Sequence, residues 1–319
     1  MKLRAILRIL SVIAVVSAST AGYLVYAKLR SYALEEARQE GGRRVDTIAK
    51  NLSAFLSENL RPVRVLAGMG AVKAYLAEPS GENLDAAHAV LDHFKSTLSV
   101  DVCYLMNVDG VTVASSNRAD PDSFMGKDFS FRPYYQRAIQ GLPATYLALG
   151  TTSKVRGAYY SYPVYINDLD VPSGIVVIKA SIYFVEQKLP PADERIVLVT
   201  DPNGVVFISN AADWRYKLLW RQPPATILAI ENSRQFGHGP WAWLGMRRDG
   251  PERAVDRQGE AYQLHEVEIE NYPGWKVVHL RQIEAISKAV SGPLTRILGP
   301  VVVIFCLLVL GPAGFGAYT

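Results

Sequence analysis

Lys179 stands in a run that otherwise carries no charge, GIVVIKAS over Gly174 to Ser181. Side chains two apart in a strand share a face, so Lys179 points to the same side as Ile175 and Val177. A lysine on the inner face of a sheet is costly unless an anion pairs with it. Two other groups have the chemistry to hold such an anion. Arg132 carries a planar guanidinium that binds a carboxylate through two parallel hydrogen bonds. Thr151, Thr152 and Ser153 offer consecutive hydroxyls together with backbone N–H groups. Each group also has a plainer reading. Lys179 on a solvated face needs no partner. Arg132, beside Pro133 and two tyrosines, suits a structural stacking arginine, and a Thr-Thr-Ser run alone is a polar loop. Tyr134, Tyr146, Tyr159 and Tyr160 suit core or the apolar wall of a pocket.

Catalytic and metal chemistry finds no footing. The five histidines, His88, His93, His238, His265 and His279, are scattered. His88 and His93 do not share a helix face. No HExxH, G-x-S-x-G, P-loop or Gly-rich fingerprint occurs, so no catalytic residue, metal or cofactor is assigned. The net charge of +4 is mild, and no Lys/Arg run with interleaved aromatics is present, which argues against nucleic acid. Cys103 and Cys306 lie too far apart in the layout below to bridge.

The elements that must position these residues follow from the periodicity. From Lys28 to about Leu60, apolar residues at Val45, Ile48, Leu52, Phe55 and Leu56 mark a long helix. Gly41-Gly42 is a weak point in it, and Pro62 interrupts it. A second helical stretch runs to about Leu76 and a third from Leu84 to Leu98. The period then changes to that of strands. Val100 to Asn107 and Val111 to Ser115 form a hairpin about an Asp-Gly turn. Phe129 to Ser153 reads as irregular and aromatic-rich, and Tyr159 to Tyr165 and Gly174 to Ser181 are further strands. The second half repeats the theme: a hairpin over Ile196 to Ser209, then strands Tyr262 to Glu268 and Trp275 to Leu280. Set side by side, NVDGVTVASSN from Asn107 and TDPNGVVFISN from Thr200 indicate two similar domains in tandem.

Ile9 to Tyr26 and Ile297 to Tyr318 contain no charged side chain and suit two membrane spans, each near the ~20 residues a bilayer needs. Lys2, Arg4 and Arg8 place the N-terminal tail in the cytoplasm. The layout expected is a tail at 1–8, a span at 9–27, stalk and domain helices at 28–99 and a membrane-distal domain at 100–190. A membrane-proximal domain at 191–282, a linker helix at 283–296 and a second span at 297–318 complete it. Output machinery is expected to lie beyond this sequence.

Three stretches make a specific likeness: Gly126 to Tyr135 (GKDFSFRPYY), Leu149 to Val164 (LGTTSKVRGAYYSYPV) and Gly174 to Lys179 (GIVVIK). In this order and spacing, and with Asp213-Trp214-Arg215-Tyr216 further on, the chain resembles the sensor region of the DctB-type histidine kinases. These are double Cache (periplasmic PAS-like) receptors for four-carbon dicarboxylates such as succinate, fumarate and malate. The resemblance implies an α+β fold, a long N-terminal helix followed by two tandem antiparallel-sheet domains between two transmembrane helices. It places the sensor domains in the periplasm of a two-span inner-membrane protein. It also implies a homodimer, contact with membrane lipid, and a dicarboxylate transporter or response regulator as partners through parts outside this chain. By the same resemblance Arg132, Thr151, Thr152, Ser153 and Lys179 line the dicarboxylate pocket with Phe129 in its wall, and the apolar rings of Tyr134 and Tyr160 suit the same wall. A dicarboxylate has two separated charges, so cationic or multi-donor groups are needed at both ends. The family often has Tyr where this chain has Phe129, which removes a hydroxyl from the wall. Alternatives are the same module on a chemoreceptor or diguanylate cyclase, an amino acid or other small carboxylate as ligand, or a structural protein that binds none.

Overall fold

The computed structural model describes residues 2–166, 171–193 and 195–293, with isolated positions beyond. The chain begins with one helix, α1 (Lys2–Glu58), followed by α2 (Leu60–Ala67), α3 (Gly70–Ala77) and α4 (Gly81–Leu98). The break at Asn59 puts Pro62 in the first turn of α2, where its missing N–H costs least. Ser80 caps α4, its side chain accepting from the Asn83 N–H at 3.2 Å. The first sheet comes from β1 (Val102–Asn107), β2 (Thr112–Ser115), then, after α5 (Pro133–Ala138), β3 (Ala144–Leu149), β4 (Arg156–Val164) and β5 (Gly174–Ser181). The short α6 (Tyr183–Gln187) leads to β6 (Arg195–Thr200), β7 (Val206–Ser209) and α7 (Pro224–Ser233). Strands β8 (Arg247–Arg248), β9 (Arg253–Val255), β10 (Ala261–Glu268) and β11 (Lys276–Gln282) complete the second sheet.

The two sheets share an order over five strands, β2-β1-β5-β4-β3 and β7-β6-β11-β10-β9, with β8 added at the edge of the second, and every pairing is antiparallel. The repeat extends to the atoms of the hairpin turns. Asn107 Oδ1 accepts from the N–H of Asp109 and Val111, as Asp201 Oδ1 does from Asn203 and Val205. Gly110 and Gly204 both take φ +82°, which a side chain would resist. The structural match pairs Asn107 with Asp201, one residue from the alignment read off the sequence. Asp201, buried on its turn, explains the offset, because the turn chemistry and not the preceding threonine is what repeats.

Each sheet is sandwiched. One face of both rests on a shared helical layer, where Leu52, Leu56, Val63, Leu66 and Leu91 pack with Leu105, Val176 and Ile178 of the first sheet and Val197, Val199 and Val277 of the second. The opposite faces have separate clusters, one around Tyr104, Tyr134, Tyr159 and Val177, the other around Leu198, Leu219, Leu264 and Val278.

Several expectations are corrected. The helix does not weaken at Gly41-Gly42. It runs through unbroken, and a Cβ at Gly41 would lie 2.4 Å from His265 Cδ2, so this glycine lets α1 approach the second sheet. The stretch Phe129 to Ser153 is not irregular throughout, since it contains α5 and β3. The helical stretch to Leu76 is two helices, parted at Gly68 and Met69.

The N-terminal part of α1 holds a window of mean hydropathy 1.8, none of it buried among the described residues, which makes it a candidate span by length and composition. The second expected span at 297–318 falls almost wholly outside the described residues. Residues 283–293 are helical, and Arg30 Nε donates to Ser287 Oγ at 2.9 Å, so this return helix starts beside α1.

Candidate functional site

The first sheet's outer face builds a pocket lined by Tyr104, Phe124, Phe129, Arg132, Tyr134, Gly150, Thr151, Thr152 and Tyr159. Strand alternation puts Tyr104 there from β1 and Tyr159 from β4. Tyr134 comes from α5, whose first residue is Pro133, so Arg132 sits at the helix N-cap in extended conformation. The Tyr134 and Tyr159 rings stack with centroids 5.4 Å apart and 1° between planes, and Tyr104 donates to the Tyr134 hydroxyl at 2.9 Å. Burial pushes the phenols of Tyr134 and Tyr146 up to about 12, so both stay protonated as hydrogen-bond donors. The cavity is small, about 10 Å³, roughly the space of one water.

Arg132 is 2% exposed. Its Nη2 donates to the Leu149 carbonyl at 2.9 Å and its Nη1 to the Arg234 carbonyl at 3.3 Å. Both partners are neutral, so among the described residues no carboxylate neutralises this guanidinium.

Lys179 points inward. The register Val102↔Lys179↔Tyr159 places it in line with the pocket's own face, and it too is 2% exposed. Its Nζ donates to Ser153 Oγ at 3.0 Å and lies 3.5 Å from Asp101 Oδ2. Burial lowers its pKa, and Asp101 opposes that shift. Two glycines make the arrangement possible. A Cβ at Gly157 would stand 3.1 Å from Lys179 Cε, and one at Gly150 would stand 2.4 Å from Ser153 Oγ.

Of the residues expected at the site, Phe129, Arg132, Tyr134, Thr151 and Thr152 line the cavity, and Ser153 and Lys179 meet beside it. Tyr160 does not belong. It faces the helical layer, and its hydroxyl donates to the Phe55 carbonyl at 3.3 Å. In the run Tyr159-Tyr160 only one ring can face each side, and Tyr159 takes the pocket. Sequence reasoning missed Asp101, Tyr104 and Phe124. Tyr104 follows from alternation along β1, whereas Asp101 lies one residue outside that strand and carries no periodic signal.

The geometry defines a fold class: an α+β chain with a long N-terminal helix, two tandem antiparallel sheets and a polar site in the first of them. The solved sensor domain of the V. cholerae histidine kinase DctB has this fold, with a TM-score of 0.72 at 24% identity over 78% of this chain and 98% of that one. The ligand-binding domain of the Campylobacter jejuni chemoreceptor Tlp3 follows at 0.56 and 14% identity, over 81% of this chain and 95% of that one. No family model matches the chain.

Sequence comparison narrows the class. The C4-dicarboxylate transport sensor protein DctB of Pseudomonas aeruginosa is 32% identical over 210 residues, which is 66% of this chain and 34% of that protein. Its namesake in Rhizobium meliloti is 31% identical over the same length, 65% of this chain and 33% of that protein. The chain is a relative of the DctB-type sensor proteins, and it spans about a third of the length of the curated relatives it matches.

Proposed function

We propose that this chain is the extracytoplasmic sensor region of a bacterial inner-membrane receptor, and that it takes a four-carbon dicarboxylate in the pocket of its first sheet. The observation that carries the reading is the pair of buried cations, Arg132 and Lys179, each 2% exposed, with the hydroxyls of Thr151, Thr152 and Ser153 beside them. Two cations held apart by a polar loop suit two carboxylates, and the rings of Tyr134 and Tyr159 suit the short carbon spacer. The names of the curated relatives supply the ligand class. The cavity is far smaller than such an acid, so binding needs its lining to give way, and the 150–155 loop carries Gly150, Thr151 and Thr152 of that lining. The uncovered apolar part of α1 supports a membrane anchor. A histidine kinase output, a homodimer, and a transporter or response regulator as partners belong to the same reading and act through parts outside this chain.

Asp101 favours a second reading. Its carboxylate could receive the ammonium of an amino acid, as the fold is shared with a chemoreceptor domain solved with L-norvaline. Lys179 beside it makes that site the poorer one for a cation. Thermal titration of the whole chain in detergent micelles separates the two. A dicarboxylate at 100 times its Kd stabilises the native state by about 2.7 kcal/mol. Succinate, fumarate or malate should raise the melting temperature, and Lys179→Ala should abolish the rise. A rise with amino acids alone supports the second reading. No rise with any dicarboxylate, or one untouched by Lys179→Ala, refutes the first.

A further inference from the structure

Asp101 has a place in the site that neither the residue pattern nor the likeness to known sensors assigns. Its backbone N–H donates to the Lys179 carbonyl at 2.9 Å, which fixes its main chain against β5. Its side chain reaches the buried ammonium, with Oδ2 3.5 Å from Nζ, yet that oxygen makes no hydrogen bond. At this separation the contact is Coulombic and not a good hydrogen bond. The two partners also differ in access: the Lys179 side chain is 2% exposed and that of Asp101 is 30% exposed. The anion can therefore reach water by a side-chain rotation, while the cation cannot.

We propose that Asp101 is a resident carboxylate that holds Lys179 in the ligand-free state, and that a dicarboxylate binds by exchange with it. This rests on the dicarboxylate reading above. Charge balance favours exchange over simple addition. Arg132, Lys179 and Asp101 together carry one net positive charge, so a dianion added to all three leaves the site with a net negative charge. Turning Asp101 out to solvent lets the two ligand carboxylates meet two cations. The incoming carboxylate also gains what Asp101 lacks, a short charge-assisted hydrogen bond from Nζ. Ser153 Oγ, 3.0 Å from Nζ, lies within reach of the same carboxylate when the loop rests in this position over it. Asp101 thereby sets the affinity of the site by competing for its lysine, and it keeps a buried cation compensated while no ligand is bound.

The test is calorimetric titration of succinate into the whole chain in detergent micelles, for wild type, Asp101→Asn, Lys179→Ala and the double variant. Asp101→Asn removes the competitor and should lower Kd about tenfold. On the Lys179→Ala background the same substitution should have no effect on residual binding, because the lysine it competes for is gone. Melting temperatures without ligand establish that each variant is folded, and Asp101→Glu, which restores the charge, should bring Kd back toward wild type. Unchanged or weaker succinate binding by folded Asp101→Asn overturns the exchange and makes Asp101 a supporting residue. Absence of binding by wild type to every dicarboxylate instead refutes the ligand reading itself, and the exchange falls with it.

Discussion

Exchanging the two side chains of the second hairpin turn, Asp201→Asn with Asn203→Asp, should stabilise the protein at neutral pH. The first repeat already carries the exchanged arrangement. There Asn107 accepts from the Val111 N–H at 2.9 Å, and its amide donates to Asp109 at 3.2 Å, with the charge on the exposed partner. In the second repeat the charge is on the buried partner: Asp201 is 2% exposed and accepts from the Val205 N–H at 2.7 Å. Burial raises the Asp201 carboxyl from 3.8 to about 6, with its backbone hydrogen bonds holding the rise in check. A displacement of that size has a ceiling of about 3 kcal/mol at neutral pH, at ~1.4 kcal/mol for each tenfold. The neutral amide makes weaker hydrogen bonds than the carboxylate, so the net gain expected is about 1–2 kcal/mol. The sign with pH follows. The folded state keeps this proton up to about pH 6 while the unfolded chain releases it near 3.8, so this group's contribution to stability falls as pH rises through that window. The exchanged variant lacks this loss. Its advantage over wild type should be near zero at pH 4, grow to pH 6 and stay level above. Thermal melts in detergent across that range measure it, with an expected rise of about 2–6 °C at pH 7. No rise at pH 7, or a rise equally large at pH 4, refutes the reasoning.

Gly41→Ala should loosen α1 from the second sheet by about 1–3 kcal/mol, because the new Cβ meets the His265 ring at 2.4 Å and His279 Nδ1 at 3.3 Å. His265→Ala should relieve part of that loss, which paired melts would show. Arg156→Ala should cost about 1–3 kcal/mol, since it removes the two hydrogen bonds at 2.5 and 2.6 Å from the nearly buried Glu186 and leaves Arg215 Nε, 3.6 Å away, as its remaining cation. Arg156→Lys should recover only part of this in chemical denaturation, as an ammonium cannot reproduce the fork. Gly157→Ala should weaken dicarboxylate binding more than it lowers the melting temperature, because its methyl group meets the stem of Lys179 at 3.1–3.2 Å. Calorimetry and melting on the same sample separate the two effects.

How much of this was legible depends on whether the signal is local. The apolar run that begins at Gly174 and meets its one charge at Lys179 showed a strand and put that charge on the side of Ile175 and Val177, but left open whether that side is buried. The two hairpins announced themselves through their turn residues. The helix α5 has six residues and buries Tyr134, Tyr135 and Ala138, too short a stretch to display a period. Tyr159 and Tyr160 could not be told apart by alternation alone, because the face is chosen by the long-range register Tyr159↔Lys179. Asp101 meets Lys179 through the same kind of register, Val102↔Lys179, across a length of chain that no local window spans. The role of Gly41 was hidden for the opposite reason: a glycine within a helical pattern looks like a local weakness until its neighbour from another domain is in place.

The loop that carries Thr151, Thr152 and Ser153 is tied to the second domain on both sides. Before it, the Leu149 N–H donates to the Gln235 carbonyl at 2.9 Å, Gln235 Nε2 donates to the Leu147 carbonyl at 2.7 Å, and Arg132 reaches the Arg234 carbonyl. After it, Arg156 donates to the Phe207 carbonyl at 2.6 Å on β7 and grips Glu186 of α6, whose carboxylate also accepts from the Ser209 N–H at 3.3 Å. These bonds join the first domain to the 234–235 segment and to β7, so the loop has little freedom to move alone. An outward swing large enough to admit an acid must either break them or carry the 234–237 segment and the end of β7 with it. The second alternative keeps these bonds, and it moves segments of a domain whose strands β10 and β11 pack on α1. A ligand that binds the open loop better than the closed one therefore shifts the second domain by its differential affinity for the two states.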